Sequence, residues 1–169
     1  MKLTSQEAGK LVKKMNEKLQ AILAMEKKSA SFLASVGEDL ESCRPEYDYA
    51  SVQKEIEELQ SKVRSLRHAL NIFNTTHTVP GFEMTIDEML VYIPQLTKQK
   101  EKLDAMKSEL PKSRVEPSYG TSTNFIDYKY LNYDVKAVEA DYERVSSELS
   151  RAQTALDLVN STESFDIDL

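Results

Sequence analysis

Residues 135–159, VKAVEADYERVSSELSRAQTALDLV, place an apolar side chain at every third or fourth position without a break. The members of this C-terminal seam are Val135, Val138, Tyr142, Val145, Leu149, Ala152, Leu156 and Val159. A central seam in residues 52–73 has the same spacing and consists of Val52, Ile56, Leu59, Val63, Leu66, Leu70 and Phe73. An apolar spacing of roughly 3.5 residues lines one side of a helix and requires a second helix against it. The two seams therefore predict long helices packed as in a coiled coil.

The composition agrees with this class of fold. The 169 residues contain 30% charged side chains, only 8% aromatic ones, no Trp and four Gly, which is typical of long helices with solvated faces. The sequence has no apolar run long enough to cross a membrane and no secretory signal pattern, so we predict a cytoplasmic protein. The single cysteine, Cys43, excludes an internal disulfide.

The net charge is −6, and it is unevenly distributed. Residues 1–36 contain seven Lys and three Glu, whereas residues 111–169 contain six Lys or Arg and eleven Asp or Glu. We expect the first helix to lie against acidic neighbours, in the same chain or in another copy. An acidic chain is a poor match for nucleic acid, and we predict no such partner.

Two further helices are predicted from residues that are typical of helix ends. Thr4 and Glu7 form a capping-box pattern at the start of the first helix, which we expect to continue to Gly37. Thr85 and Glu88 repeat the pattern at the start of the third helix, which we expect to continue to Pro111, with a kink at Pro94. The prediction is an all-α fold of four long helices in an antiparallel, coiled-coil-like bundle, with residues 1–169 forming a single domain.

Residues 112–131 differ from the rest of the chain because they are rich in strand-forming residues. They predict a β-hairpin between helices three and four, turning near residues 119–122. An isolated hairpin is only marginally stable in water, so it must pack on helices or pair with a second copy. Aromatic side chains with a polar tip suit subunit interfaces. The candidate oligomer interface therefore consists of Tyr119, Phe125, Tyr128 and Tyr130; a role of the tyrosines in covering the end of the bundle is the alternative.

The sequence lacks the motifs of common catalytic and metal sites. His68 and His77 are nine residues apart on different elements, and no zinc or di-iron ligand spacing occurs. The four glycines are scattered, so no phosphate-binding loop is present. We predict no enzyme activity, no cofactor and no metal, and we identify no small-molecule substrate.

Lys10, Lys14 and Lys18 lie opposite the apolar line of the first helix, which begins at Ala8 and Leu11. Basic amphipathic helices can lie on anionic membranes, so a membrane-active protein is the alternative function.

Several segments together resemble a family of uncharacterised bacterial helical proteins sometimes labelled septicolysin. The similar segments are Leu70-Asn71-x-x-Asn74-Thr75, the loop containing Gly81, Met84-Thr85-Ile86-Asp87-Glu88-Met89-Leu90, and Leu156-Asp157-x-x-Asn160. The resemblance implies a helical fold, and its label implies pore formation. The sequence lacks the alternating small and apolar residues expected of a pore, so we carry over only the fold. The predicted function is that of a structural or interaction protein that assembles into a homo-oligomer through coiled-coil-like helices.

Overall fold

The computed structural model describes residues 1–115 and 126–168, and this part of the chain is mostly helical with three small antiparallel strand pairs. In chain order the elements are β1 (Lys2–Thr4), α1 (Ser5–Ser29), α2 (Leu40–Cys43), α3 (Tyr49–Thr76), β2 (Thr78–Val79), β3 (Met84–Thr85), α4 (Ile86–Lys107), β4 (Lys112–Arg114), β5 (Tyr128–Tyr130), α5 (Val135–Thr162) and β6 (Ser164–Asp166). The strand pairs are β1–β6, β2–β3 and β4–β5.

The residues group into two compact units. Unit 1 comprises Met1–His77 together with the C-terminal residues from Leu158, and unit 2 comprises Thr78–Asp157. The single-domain organisation expected from the sequence stays a prediction.

In unit 1, α1 and α3 pack against each other in antiparallel directions. Ala8 near the start of α1 shares a buried cluster with Leu66 near the end of α3. Farther along α1, the Lys18 ammonium lies 2.6 Å from the Glu55 carboxylate, close to the start of α3. This is one ion pair between the basic first helix and α3, which itself carries three Glu and four Lys or Arg, so the expected acidic neighbour of the first helix stays a prediction.

β1 and β6 pair at the end of unit 1 that contains Ala8 and Leu66. β1 pairs with β6 in the register Lys2↔Asp166, Leu3↔Phe165 and Thr4↔Ser164. This pairing brings Ile167 into the cluster of Ala8 and Leu66. In the tail, Phe165 and Ile167 alternate with Asp166 and Asp168, a pattern typical of a strand, whereas β1 carries no sequence signal of comparable strength.

The first helix is shorter than the sequence predicts. It begins after Thr4 with the expected capping box, but it ends at Ser29 and not at Gly37. The Glu26 carboxylate already accepts a hydrogen bond from Gln53, four residues after the start of α3, so a longer α1 would extend past its partner. Gly37 instead has a φ of +94° and lies in the connection to α3.

In unit 2, α4 and α5 are likewise antiparallel neighbours. The Tyr92 hydroxyl donates to the Glu148 carboxylate at 3.3 Å, and the Tyr133 hydroxyl donates to the Met106 carbonyl at 2.8 Å. The capping box of Thr85 and Glu88 is present, and α4 is continuous through Pro94. It ends at Lys107, a few residues before the predicted end.

The two seams point inward as the sequence predicts. Every member of the central and C-terminal seams is buried or half-buried. Within the central seam only Ile56 and Leu66 are fully buried, because a single neighbouring helix covers one side of a seam and leaves its flanks open to water.

We predict that Leu66→Ala lowers the free energy of unfolding by about 2–5 kcal/mol, because the Leu66 side chain is 0% exposed and its removal leaves a cavity. Ile72→Ala is the matched control on the same helix, since Ile72 is 50% exposed, and it should change stability by less than about 1 kcal/mol. Urea denaturation followed by circular dichroism measures both. Equal losses for the two variants would contradict the position of the core.

A second prediction concerns the capping box of α4. The Thr85 backbone N–H and hydroxyl donate to the Glu88 carboxylate at 2.7 and 3.0 Å, and these bonds lower the pKa of Glu88 below its ordinary value. A lowered pKa stabilises the fold above the pKa of the unfolded chain, and this contribution is lost as the pH falls through the folded value. Thr85→Val should therefore destabilise the protein more at neutral pH than in acid.

Denaturation midpoints across a pH series test this expectation, and NMR titration of the Glu88 carboxyl gives its pKa directly. Thr78→Val, at the exposed position of β2, is the control and should show no such pH dependence. A pH-independent loss in Thr85→Val would contradict the proposed coupling.

Candidate self-association site

The β4–β5 pair lies between α4 and α5 in the chain. Pro111 cannot extend the helical hydrogen bonding of α4, and the chain becomes extended from Lys112. β4 and β5 pair antiparallel in the register Lys112↔Tyr130, Ser113↔Lys129 and Arg114↔Tyr128. The predicted turn near residues 119–122 lies outside the described residues.

Two side-chain contacts fix this strand pair to the helices of unit 2. The Lys129 ammonium lies 3.2 Å from the Glu109 carboxylate, just after the end of α4. The hydrogen bond from Tyr133 to Met106 attaches the segment that follows β5 to α4. The base of the hairpin therefore has a defined position in unit 2.

One face of the strand pair combines two tyrosines with two basic residues. Because directly opposed residues share a face, the register puts Lys112, Arg114, Tyr128 and Tyr130 on the same side. The Lys112 ammonium lies 4.1 Å from the Tyr128 ring centroid and 5.3 Å from that of Tyr130. The two rings are tilted, with centroids 6.5 Å apart, and both side chains are exposed. This surface is the tyrosine face.

Within residues 1–115 and 126–168, the outer edge of β5 carries backbone groups that have no strand beside them. The amide of Leu131 donates to the Pro111 carbonyl, and that of Val115 donates to the Asp127 carbonyl. Bonded pairs alternate with non-bonded pairs in an antiparallel ladder, so the N–H and C=O groups of Tyr128 and Tyr130 point away from β4. No described residue forms a third strand at this edge.

The structure thus brings together two of the four predicted interface residues, Tyr128 and Tyr130. Tyr119 and Phe125 lie outside the described residues. Sequence reasoning missed Lys112 and Arg114, which complete the tyrosine face. Their presence follows from the register, which depends on the position of the turn.

Several other polar side chains of unit 2 make structural contacts. Within unit 2, Arg151 pairs with Glu148 at 2.8 Å and its guanidinium lies 4.7 Å from the Phe82 ring centroid. Burial, followed by the charge of Glu148, raises the pKa of Tyr92. In residues 1–115 and 126–168, no group of three or more His, Cys, Asp or Glu side chains is arranged to hold a metal ion.

The apolar side of the first helix packs against α3. Ala8 is buried and Leu11 and Val12 are half-buried in the cluster shared with Leu66 of α3. None of the helices in the described residues combines the length and the apolar character needed to span a membrane.

Comparison with known proteins gives a fold but no family. No family model matches the chain, and no curated protein matches it by sequence. The fold is similar to a crystal structure described as a functionally unknown conserved protein from Corynebacterium diphtheriae, with a TM-score of 0.61 and 15% sequence identity. The similarity covers 98% of this chain and 100% of that one. At this identity the likeness concerns the fold alone, and the resemblance to the septicolysin family stays a prediction.

Proposed function

We propose that the protein is a non-enzymatic structural or interaction module that assembles into a homo-oligomer through the outer edge of β5. The proposal rests on the exposure of this edge, which has outward-pointing backbone groups and two exposed tyrosines. An exposed strand edge is a template for a further strand, and a second copy of the same edge supplies one.

A two-fold axis at Lys129 gives a specific register for this pairing. Tyr128 of one copy then lies opposite Tyr130 of the second copy, and the reverse holds on the other side of the axis. The backbone groups of these residues point toward the second copy, so both pairs become hydrogen-bonded pairs. Four tyrosine rings come together on one face, and cross-strand aromatic pairs stabilise a sheet by roughly 0.2–1 kcal/mol each.

The edge of β4 is a weaker choice because its outward-pointing residues are basic. Pairing two β4 edges would bring Lys112 and Arg114 of both copies together, and like charges in cross-strand positions are destabilising. Pairing through β5 opposes only the two copies of Lys129, and Glu109 neutralises each of them at 3.2 Å. Leu110 and Ile126, which precede β4 and β5 in the chain, are further exposed apolar side chains.

The seams favour contacts within the chain. Their members are buried or half-buried in the single chain, and a helix-to-helix interface between copies would need a second apolar stripe. We retain as proposals the single antiparallel bundle of all four long helices, assembly through coiled-coil-like helices as the alternative route, and a cytoplasmic, bacterial protein without nucleic-acid partners.

We predict that the wild-type chain forms dimers and that replacing both Tyr128 and Tyr130 with Ala shifts it to monomer. The loss of two aromatic side chains removes the cross-strand pairs while the helices keep their spectrum. Sedimentation velocity over a concentration series measures the mass. Tyr49→Ala is the matched control, because Tyr49 is 65% exposed and Tyr130 is 64% exposed, and it should keep the wild-type mass.

Replacing Tyr128 and Tyr130 with Phe keeps the rings and should preserve the dimer. A wild-type chain that remains monomeric at every concentration would overturn the proposal. A dimer that survives the double Ala substitution would move the interface away from β5.

A further inference from the structure

A groove of about 330 Å³ lies in unit 1 between the last turns of α1 and the first turns of α3. Ile22, Met25 and Val52 supply its apolar surface, and Met25 is 69% exposed. Its volume is at the lower end of the roughly 300–1,000 Å³ of small-molecule sites, and a few side chains of a bound segment fill such a space.

Four carboxylates line the same groove, those of Glu26, Glu46, Asp48 and Glu55. Lys18, which is not part of the lining, pairs with Glu55 at 2.6 Å. The Glu26 carboxylate accepts hydrogen bonds from the Tyr47 hydroxyl at 2.9 Å and from Gln53 at 2.6 Å. Burial, and then the Glu26 carboxylate, raises the pKa of Tyr47. Glu46 is exposed and has no hydrogen-bond or ion-pair partner in the described part of the chain. The groove is therefore apolar at its surface and acidic at its rim.

The connection between α1 and α3 adds apolar side chains at the same end of the helix pair. A turn holds this connection, in which the Ser35 amide donates to the Glu38 carboxylate at 2.7 Å and the Glu38 amide donates to the Ser35 carbonyl at 3.1 Å. Gly37 takes the positive φ that the turn requires. The exposed side chains are Phe32, Leu33, Val36 and Leu40, and Leu33 is 98% exposed.

We infer that this end of unit 1 binds a basic, apolar segment of a partner protein. Apolar side chains of the segment fill the groove beside Met25 and Val52, and its lysines or arginines pair with the carboxylates of Glu46 and Asp48. Residues 22–55 carry seven acidic and four basic side chains, so the charge favours a cationic partner and repels an anionic lipid surface. Contiguous apolar surface rimmed by polar groups is typical of a protein-binding site.

The test uses a fluorescent 14-residue amphipathic peptide of Lys and Leu, and an analogue in which every Lys is Glu. Fluorescence anisotropy with the full-length chain should show the Lys peptide binding at least about tenfold more tightly than the Glu peptide, with weaker binding at high salt. Met25→Ser combined with Glu46→Lys should weaken binding of the Lys peptide by about tenfold or more, since it removes apolar surface and reverses a charge.

Ile72→Ser combined with Glu57→Lys is the matched control, because it makes the same change of charge and removes an exposed apolar side chain elsewhere in unit 1. This control should bind within about twofold of wild type. Equal weakening in the two double variants would show attraction to the net charge alone and would overturn the inference.

Two further outcomes would also overturn it. Binding of the wild type to vesicles of phosphatidylcholine and phosphatidylglycerol, lost in Leu33→Ser, would identify a lipid surface as the occupant. A fall in mass by sedimentation velocity in the Met25→Ser, Glu46→Lys variant would identify a second copy. We expect neither, and circular dichroism should show an unchanged helical signal for both double variants because all four positions are exposed.

Discussion

A helix with one narrow apolar seam needs one partner helix along its length, and this requirement organises both units. In unit 1 the partners are α1 and α3, and Ala8 is the one fully buried residue of α1. In unit 2 the partners are α4 and α5, where Tyr92 contacts Glu148, and the segment before α5 is attached to α4 by the bond from Tyr133 to Met106. Much of each helix surface stays solvated, in keeping with a sequence rich in charge and poor in aromatic residues. Along most of each pair the seam is covered by the neighbouring helix, and Val52 at the start of α3 is the seam residue that lines the open groove of unit 1.

The features that were predictable from the sequence are those set by local chemistry. The two capping boxes form because a hydroxyl and a carboxylate three residues apart satisfy the first free amides of a helix, whatever the rest of the chain does. The end of α1 was wrongly predicted because it depends on its partner. The first helix ends near the start of α3, beyond which it would have no partner helix. Gly37 favours the end of a helix, but here it lies in a turn eight residues after the last residue of α1.

For the candidate site, the register of β4 against β5 is what could not be predicted from the sequence. Strand-forming residues were enough to predict a hairpin, and Tyr128 and Tyr130 two residues apart had to share a face. A turn centred on residues 119–122 would oppose Lys112 to Lys129, whereas the structure opposes it to Tyr130. A shift of one residue exchanges the two faces of a strand. A turn assigned from composition was therefore too imprecise to predict that Lys112 and Arg114 lie on the tyrosine face.

The pairing of β1 with β6 has a consequence for how the chain folds. The amino group of Met1 donates to the carbonyl of Ile167 at 2.6 Å, and the Ile167 amide donates to the Met1 carbonyl at 2.9 Å. These bonds join positions 166 residues apart, whereas the α1–α3 hairpin forms from neighbouring segments. The entropic cost of loop closure rises with the length of the loop, and contacts of such long sequence separation slow folding. On the ribosome the two helices can pair early, but unit 1 can acquire its terminal sheet only after Ile167 has left the exit tunnel.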